Sequence, residues 1–479
     1  MSNVPSTFAD FIFLHARLRP SRPAIILHDR VATYEMLAKG IRRVEGRIRA
    51  LGLPQGALVS VALAGPIRQL IVTAALFRLG HPSISTDTSA EVIRLKLPVE
   101  AYLHAAGEPF APGLRQVLVS DQWFTSEPDP EPKEPVRGFP DGDAICRVEI
   151  TSGSTGLPKP ICSTLDEFNR RMAMQNLTTN LGAWDRLLAL ARLGAPWGFR
   201  LAAQTLVAGK TLVVAESAPA ALQMTSVYNV EAIVASTQQA RDLVQLQKAN
   251  PIPCPSLRSI LFGGGLPSRG LLTDIRAYLC QHAFVQYGAS EAGLIAIGSA
   301  DNAMEPEGAT GFALPGAEIQ IVDATDQPMP TGADGVVRVR TEWLSRPFPP
   351  GSAHPGFRDG WFYPGDAGRL TDEGLLILNG RVTEVINAGG VKRAPEAIED
   401  IVSRHPDIGE VAAFGAMSPD GIEAIQLAIV TQSQMSDESL IAWCEARGIE
   451  VARVYRVASI PRTPLGKIRR DELRKALTA

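Results

Sequence analysis

At 479 residues the chain is longer than one ordinary hydrophobic core and has room for two or three domains. Hydrophobic residues make up 45% and charged residues 20%, the balance of a globular protein and not of a disordered or fibrous one. A formal net charge of −3 leaves no basic footprint for a polyanion, so no nucleic-acid partner is expected.

The five cysteines, Cys146, Cys162, Cys254, Cys280 and Cys444, are odd in number and show no Cys-x-x-Cys spacing. They read as reduced thiols, mostly in the core, and not as a metal site. No apolar run reaches the roughly 18 residues that span a bilayer. The longest candidate, Leu58 to Phe77, is broken by Pro66 and Arg68, and Asp10 precedes any basic leader region. The expectation is a cytoplasmic protein with no membrane span.

In chain order, residues 6–20 carry helical apolar spacing, Pro23 to Leu27 reads as a short strand, and Thr33 can cap a helix to about Leu51. A strand from Leu58 to Leu63 precedes a helix from Pro66 to Leu79. This alternation predicts a parallel α/β sheet. Five prolines between Pro128 and Pro140 mark an exposed connection. The run Ala144 to Ile150 then predicts a strand that leaves a sheet edge into Thr151-Ser152-Gly153-Ser154-Thr155-Gly156-Leu157-Pro158-Lys159-Pro160. Small residues let successive amides turn toward one anion, the hydroxyls add donors, and Lys159 adds a mobile positive charge. The spacing differs from a Walker loop, because Leu157 follows the second glycine.

Short strands are expected at Leu187–Leu190, Thr211–Val214, Ala232–Val234 and Ser259–Phe262, the last running into Gly263-Gly264-Gly265. From Gly308 to about Thr341 the turns and β-branched runs predict a small antiparallel subdomain, and Gly368–Leu370 with Leu375–Leu378 a hairpin. Beyond about residue 382 the pattern resets: helix Ala394–Arg404, strands Val411–Phe414 and Ala424–Val430, a helix capped at Ser436, and strand Val451–Val457. The fold class is therefore multi-domain α/β, with a large domain over residues 1–381 and a small α+β domain over 382–479.

Other segments carry chemistry. Gln286-Tyr287-Gly288-Ala289-Ser290-Glu291 joins an aromatic face, a tight glycine, a hydroxyl and a carboxylate that can hold a hard cation. Asp366 closes Gly360-Trp361-Phe362-Tyr363-Pro364-Gly365-Asp366, and a basic stretch, Pro461 to Arg470, carries Lys467 after Gly466. Each segment read alone is equally a turn or a solvated face.

Taken in order, these segments resemble the signatures of the adenylate-forming enzymes, the superfamily of acyl-CoA synthetases, nonribosomal adenylation domains and luciferases. The resemblance covers nearly the whole length. It implies that Thr151, Ser152, Gly153, Ser154, Thr155, Gly156 and Lys159 hold phosphate. Gly263, Gly264 and Gly265 would admit the adenine, with Gln286, Tyr287 and Gly288 beside it. Glu291 would hold Mg²⁺, Ser290 and Lys467 would offset charge at the reacting phosphate, and Asp366 and Arg381 would take the ribose. Thr383 corresponds to the hinge about which the C-terminal domain turns, and Gly389 and Gly390 to a thiol tunnel. Trp197, Gly198 and Phe199 are expected in the substrate pocket, where the two rings suggest an apolar acid, and core packing explains them about as well.

The implied reaction is ATP-dependent activation of a small carboxylic acid to an acyl-adenylate, followed by transfer to a thiol, coenzyme A. A separate acyl carrier protein or an amine remains an alternative acceptor, and the sequence leaves the oligomeric state open. This chain departs from the family at Pro160 (usually Gly), Pro364 (usually Thr) and Thr383 (usually Asp or Lys), and it lacks the histidine of the stretch matching Gly194 to Arg200. Two other classes stay open at this point: an idle nucleotide-binding scaffold, and a serine hydrolase using Gly288-Ala289-Ser290-Glu291-Ala292, although that elbow lacks its final glycine.

Overall fold

The computed structural model describes residues 6–107, 109, 111–125, 138–151, 159–179, 183–190, 193–304, 306, 308–388, 391–417, 423–462 and 468–478. Residues 126–137 of the proline-rich connection, Ser152 to Pro158, Gly389, Gly390 and Lys467 therefore fall outside the described residues.

Two sheets sandwich a layer of helices. The first runs, edge to edge, Arg346–Pro347, Lys159–Thr164, Ile145–Thr151, Ser83–Ser85, Val59–Ala62, Ala101–His104 and Gln116–Leu118. The second has a parallel half, Pro23–Ile26, Thr211–Val214, Arg186–Ala189, Ala232–Ser236, Ser259–Gly263 and His282–Ala289. An antiparallel half continues it through Gly293–Ser299, Ala309–Ala313, Leu375–Arg381, Asp366–Leu370 and Gly335–Thr341. The antiparallel strands expected from the turn-rich texture thus extend the parallel sheet.

The helices between the sheets were legible from local rules. Thr33 caps Tyr34–Ala50 by accepting from the Met36 amide at 3.2 Å, and Pro66 opens a helix that ends at Leu79 on Gly80, whose φ is +72°. Phe8, Phe77, Phe168 and Phe199 meet here, with ring centroids 5.0 to 6.3 Å apart, and join both sheets into one core.

One expectation needs correction. The strand Ile145–Thr151 is not at a sheet edge, because it pairs with Ser83–Ser85 on one side and antiparallel with Lys159–Thr164 on the other. Thr151 and Lys159 are register partners, so residues 152–158 join the two arms of a hairpin. The second arm was missed because Pro160 reads as a strand breaker. Here the Pro160 carbonyl accepts from the Phe348 amide at 3.1 Å, and its partner in the first arm is Ile150.

Farther along the chain, Glu410–Met417, Glu423–Val430 and Val451–Arg456 form a three-stranded sheet covered by Pro395–Val402, Asp437–Glu445 and Arg470–Thr478. Its core is drawn from residues 386–454, with a smaller cluster around Phe414, Ile460 and Leu473. No helix among the described residues is long and apolar enough to cross a membrane.

Candidate nucleotide and acyl site

The carboxyl ends of parallel strands from both sheets converge, the usual place for a ligand in an open α/β fold. Thr151 ends its strand buried, and its hydroxyl reaches the Lys159 carbonyl at 3.3 Å and the Glu291 carboxylate. Glu291 follows the strand His282–Ala289 and is only 8% exposed. Burial pushes its carboxyl above the ordinary carboxylate range, against the pull of its own amide, the Thr151 hydroxyl and the Arg200 charge. A buried carboxylate that costs free energy to ionise is relieved by a cation placed against it. Among the described residues no cluster of three or more His, Cys, Asp or Glu side chains could hold a metal by itself. Mg²⁺ takes one or two carboxylates and fills its shell with phosphate and water oxygens, so a single buried carboxylate such as Glu291 suits it.

Tyr287, four residues earlier, turns its ring into the core of the second sheet and donates its hydroxyl to Asp366 Oδ2 at 2.7 Å. Burial and the Asp366 charge push that phenol well above its usual value, so it stays a donor. The other oxygen of Asp366 meets Arg381 Nε at 3.2 Å, and the same guanidinium donates to the Pro364 carbonyl. The register that pairs Asp366 with Arg381 places these two together. Gly263 is the partner of Gln286, and a Cβ on it would lie 2.9 Å from the Gln286 carbonyl, so only glycine fits between these strands. Gly264 is exposed with φ +85°, and the Gly265 carbonyl accepts from Thr237 at 2.8 Å. Thr383 lies in the turn directly after the strand that ends at Arg381.

The structure therefore brings Thr151, Lys159, Gly263, Tyr287, Ser290, Glu291, Asp366 and Arg381 to adjoining strand ends. The Phe199 ring is buried among phenylalanines, with the Arg147 guanidinium 4.5 Å above it. Trp197, on the first turn of the helix Pro196–Val207, is half-buried, and Gly198 beside it is buried.

Sequence reasoning missed a group of buried charges beneath this site. Arg147, Glu149 and Thr151 alternate along one strand; Arg147 donates to Ser83 and Ser85 at 3.1 and 2.7 Å, and Glu149 pairs with Arg200 in the interior. Arg200 and Arg171 both donate to the Ser290 carbonyl, at 3.4 and 3.3 Å. The available signal was the period-2 charged pattern in an otherwise apolar strand, and an arginine inside the apolar helix Pro196–Val207.

This fold and this strand-end site define a nucleotide-dependent ligase of the adenylate-forming kind. Residues 12–348 match the family described as AMP-binding enzyme, and the chain belongs to that family. It is similar to the 2-succinylbenzoate–CoA ligase of Bacillus licheniformis, with 25% identity over 96% of this chain and 98% of that protein. It is also similar to the fatty acid–[acyl-carrier-protein] ligase ScoC of Streptomyces coeruleorubidus, with 27% identity over 96% of this chain and 94% of that protein. The structure of the o-succinylbenzoate CoA synthetase of Bacillus subtilis with its acyl-adenylate intermediate shares the fold, at TM-score 0.83 and 24% identity over 97% of each chain.

Proposed function

We propose that the protein joins a small carboxylic acid to AMP with release of pyrophosphate and then passes the acyl group to the thiol of coenzyme A. The observation that carries this reading is Glu291, a buried carboxylate set against Thr151 at the mouth of the phosphate hairpin, with Tyr287, Asp366 and Arg381 on the adjoining strands. Asp366 takes the ribose hydroxyls as an acceptor, Arg381 and Tyr287 hold it in place, and Gly263 to Gly265 leave room for the adenine against the backbone. Glu291 holds Mg²⁺ against the triphosphate, which supplies charge neutralisation there. Thr151, Lys159 and the 152–156 segment bind phosphate oxygens, and Ser290 adds a hydroxyl.

In the first step a carboxylate oxygen attacks the α-phosphorus and the bond to the bridging oxygen breaks, with pyrophosphate carrying away the electron pair. Lys467 offsets the charge that develops. The domain from residue 382 then turns about Thr383, withdraws Lys467 and brings Gly389 and Gly390 to the thiol path. In the second step the thiol attacks the acyl carbon and AMP leaves. Trp197 and Gly198 contribute to the wall of the acyl pocket.

A carrier-protein thiol is the second reading, favoured by the similarity to the acyl-carrier-protein ligase. Incubation with MgATP, a panel of aryl and alkyl carboxylates and coenzyme A, followed by mass spectrometry, tests the proposal. The expected products are AMP and an acyl thioester in equal amounts. Release of ADP, or thioester formation without ATP, would refute it.

A further inference from the structure

The polar interior beneath the site is organised around Arg171, on the helix Leu165–Thr178. It is 1% exposed, and its acceptors include three main-chain carbonyls and a hydroxyl: Ser290 at 3.3 Å, Glu291 at 3.2 Å, Trp343 at 2.9 Å and Ser345 Oγ at 3.0 Å. The same three-residue stretch is held twice more. The Ser345 amide donates to the Glu291 carbonyl at 2.8 Å, and the indole of the buried Trp343 donates to the Ala292 carbonyl at 2.7 Å. Three successive carbonyls, from Ser290 to Ala292, are thus each bound by donors from the protein.

The packing around the guanidinium leaves little slack. Gly293 has φ +67°, and a Cβ there would lie 3.0 Å from Arg171 Nε and 3.2 Å from the Trp343 indole nitrogen. Ser345 is itself hydrogen-bonded to Ser163 at 2.9 Å, on the second arm of the phosphate hairpin. A planar fork with five donors can reach the backbone of both segments at once, which a single ammonium cannot. Burial and the neighbouring Arg200 charge lower its pKa to about 10, which still leaves it cationic at neutral pH.

We propose that Arg171 is the positioning residue for Glu291: it fixes the main chain of residues 290–292 against the strand Gly335–Thr341 and its continuation to Ser345, and so sets where the Glu291 carboxylate meets the metal of MgATP. This rests on the reading of Glu291 as the metal-holding carboxylate. Arg171 is buried beneath the site and acts on Glu291 through the main chain of residues 290–292, with the Ser345 hydroxyl helping to hold the guanidinium.

The test compares ATP binding to the full-length protein by titration calorimetry, once with excess Mg²⁺ and once with EDTA. The ratio of the two affinities isolates the metal's contribution from general damage to the fold. In Arg171→Lys this ratio falls about tenfold, as is usual when an outer partner of a metal-bound carboxylate is lost, and metal-free ATP affinity stays near wild type. Ser345→Ala, which removes one acceptor of the set, lowers the ratio about threefold. It decides the matter alone should Arg171→Lys not fold.

An unchanged ratio in the folded variants, or equal losses with and without Mg²⁺, overturns the positioning role. Glu291→Gln in the same experiment separates the two claims. If it leaves the ratio at the wild-type value, the metal role of Glu291 fails. If it abolishes the metal's contribution and the Arg171 and Ser345 variants do not lower it, only the Arg171 proposal fails.

Discussion

Tyr287 and Asp366 stand 79 residues apart in sequence and are joined by a buried hydrogen bond of 2.7 Å. The bond ties the strand before Glu291 to the strand that pairs with Arg381, so two motifs that look independent in the sequence share one geometry. Tyr287→Phe keeps the ring and removes the donor. A hydrogen bond to a charged group contributes about 1.5–3 kcal/mol, so ATP affinity should fall by about one to two orders of magnitude with little change in fold. Fluorescence or calorimetric titration measures this, and unchanged affinity would show that Asp366 needs no such anchor.

Glu291 binds protons more tightly than an exposed carboxylate in the free protein, because burial penalises its charge. A cation arriving beside it reverses that penalty and drives the proton off. Binding of MgATP should therefore release protons at mildly acidic pH, read from the dependence of the calorimetric heat on buffer ionisation enthalpy. Glu291→Gln should abolish that part of the release.

Arg470, at the start of the helix Arg470–Thr478, serves three carboxylates at once: Glu384 at 2.6 Å, Glu396 at 3.0 Å and Glu399 at 2.8 Å. One positive charge does not offset three negative ones, so burial, opposed by Arg470 and reinforced by Glu396, raises Glu399 to about 7. A carboxylate with a raised folded pKa binds its proton more tightly when folded than when unfolded. Its contribution is most favourable below the unfolded value, near 4.5, and is lost as pH rises through about 7. Since 15% of the Glu399 side chain still meets solvent, the effect is about 2 kcal/mol. Thermal melts of wild type and Glu399→Gln at pH 5 and pH 8 should show the wild type gaining on the variant at pH 5. A pH-independent difference would contradict this.

Phe199 and Trp197 separate packing from selection. Phe199→Ala opens a cavity among Phe8, Phe77 and Phe168 and should cost about 3–5 kcal/mol of stability. Trp197→Ala removes a half-buried ring packed against the same core, so it should lower the melting temperature less than Phe199→Ala does and alter KM for the acid. The two are distinguished by melts and by initial rates across the carboxylate panel.

Local rules carried much of the fold. Thr33, Pro66 and Ser436 cap or open helices as their chemistry predicts, the strand leading to Gly263 is a buried, largely apolar run, and the strand His282–Ala289 before Ser290 alternates in burial. The hairpin arm Lys159–Thr164 was hidden because Pro160 reads as a strand breaker, although the arm pairs in register from Thr151 onward. Arg171, Arg200 and Glu149 were hidden for another reason. Charged residues on helices and strands usually face water, and only the tertiary fold reveals that Arg200 meets the Glu149 carboxylate and that Arg171 and Arg200 meet main-chain carbonyls.

The account depends on the protein activating an acid with ATP before any thiol is involved. The most direct measurement is isotope exchange between pyrophosphate and ATP without a thiol, across a carboxylate panel, for wild type and Lys467→Ala. The predicted result is exchange that requires both Mg²⁺ and one class of acid and that vanishes in Lys467→Ala, while that variant still transfers the acyl group from a supplied acyl-adenylate. Exchange that persists in Lys467→Ala, or no exchange with any acid by a wild-type protein that binds ATP, would contradict it.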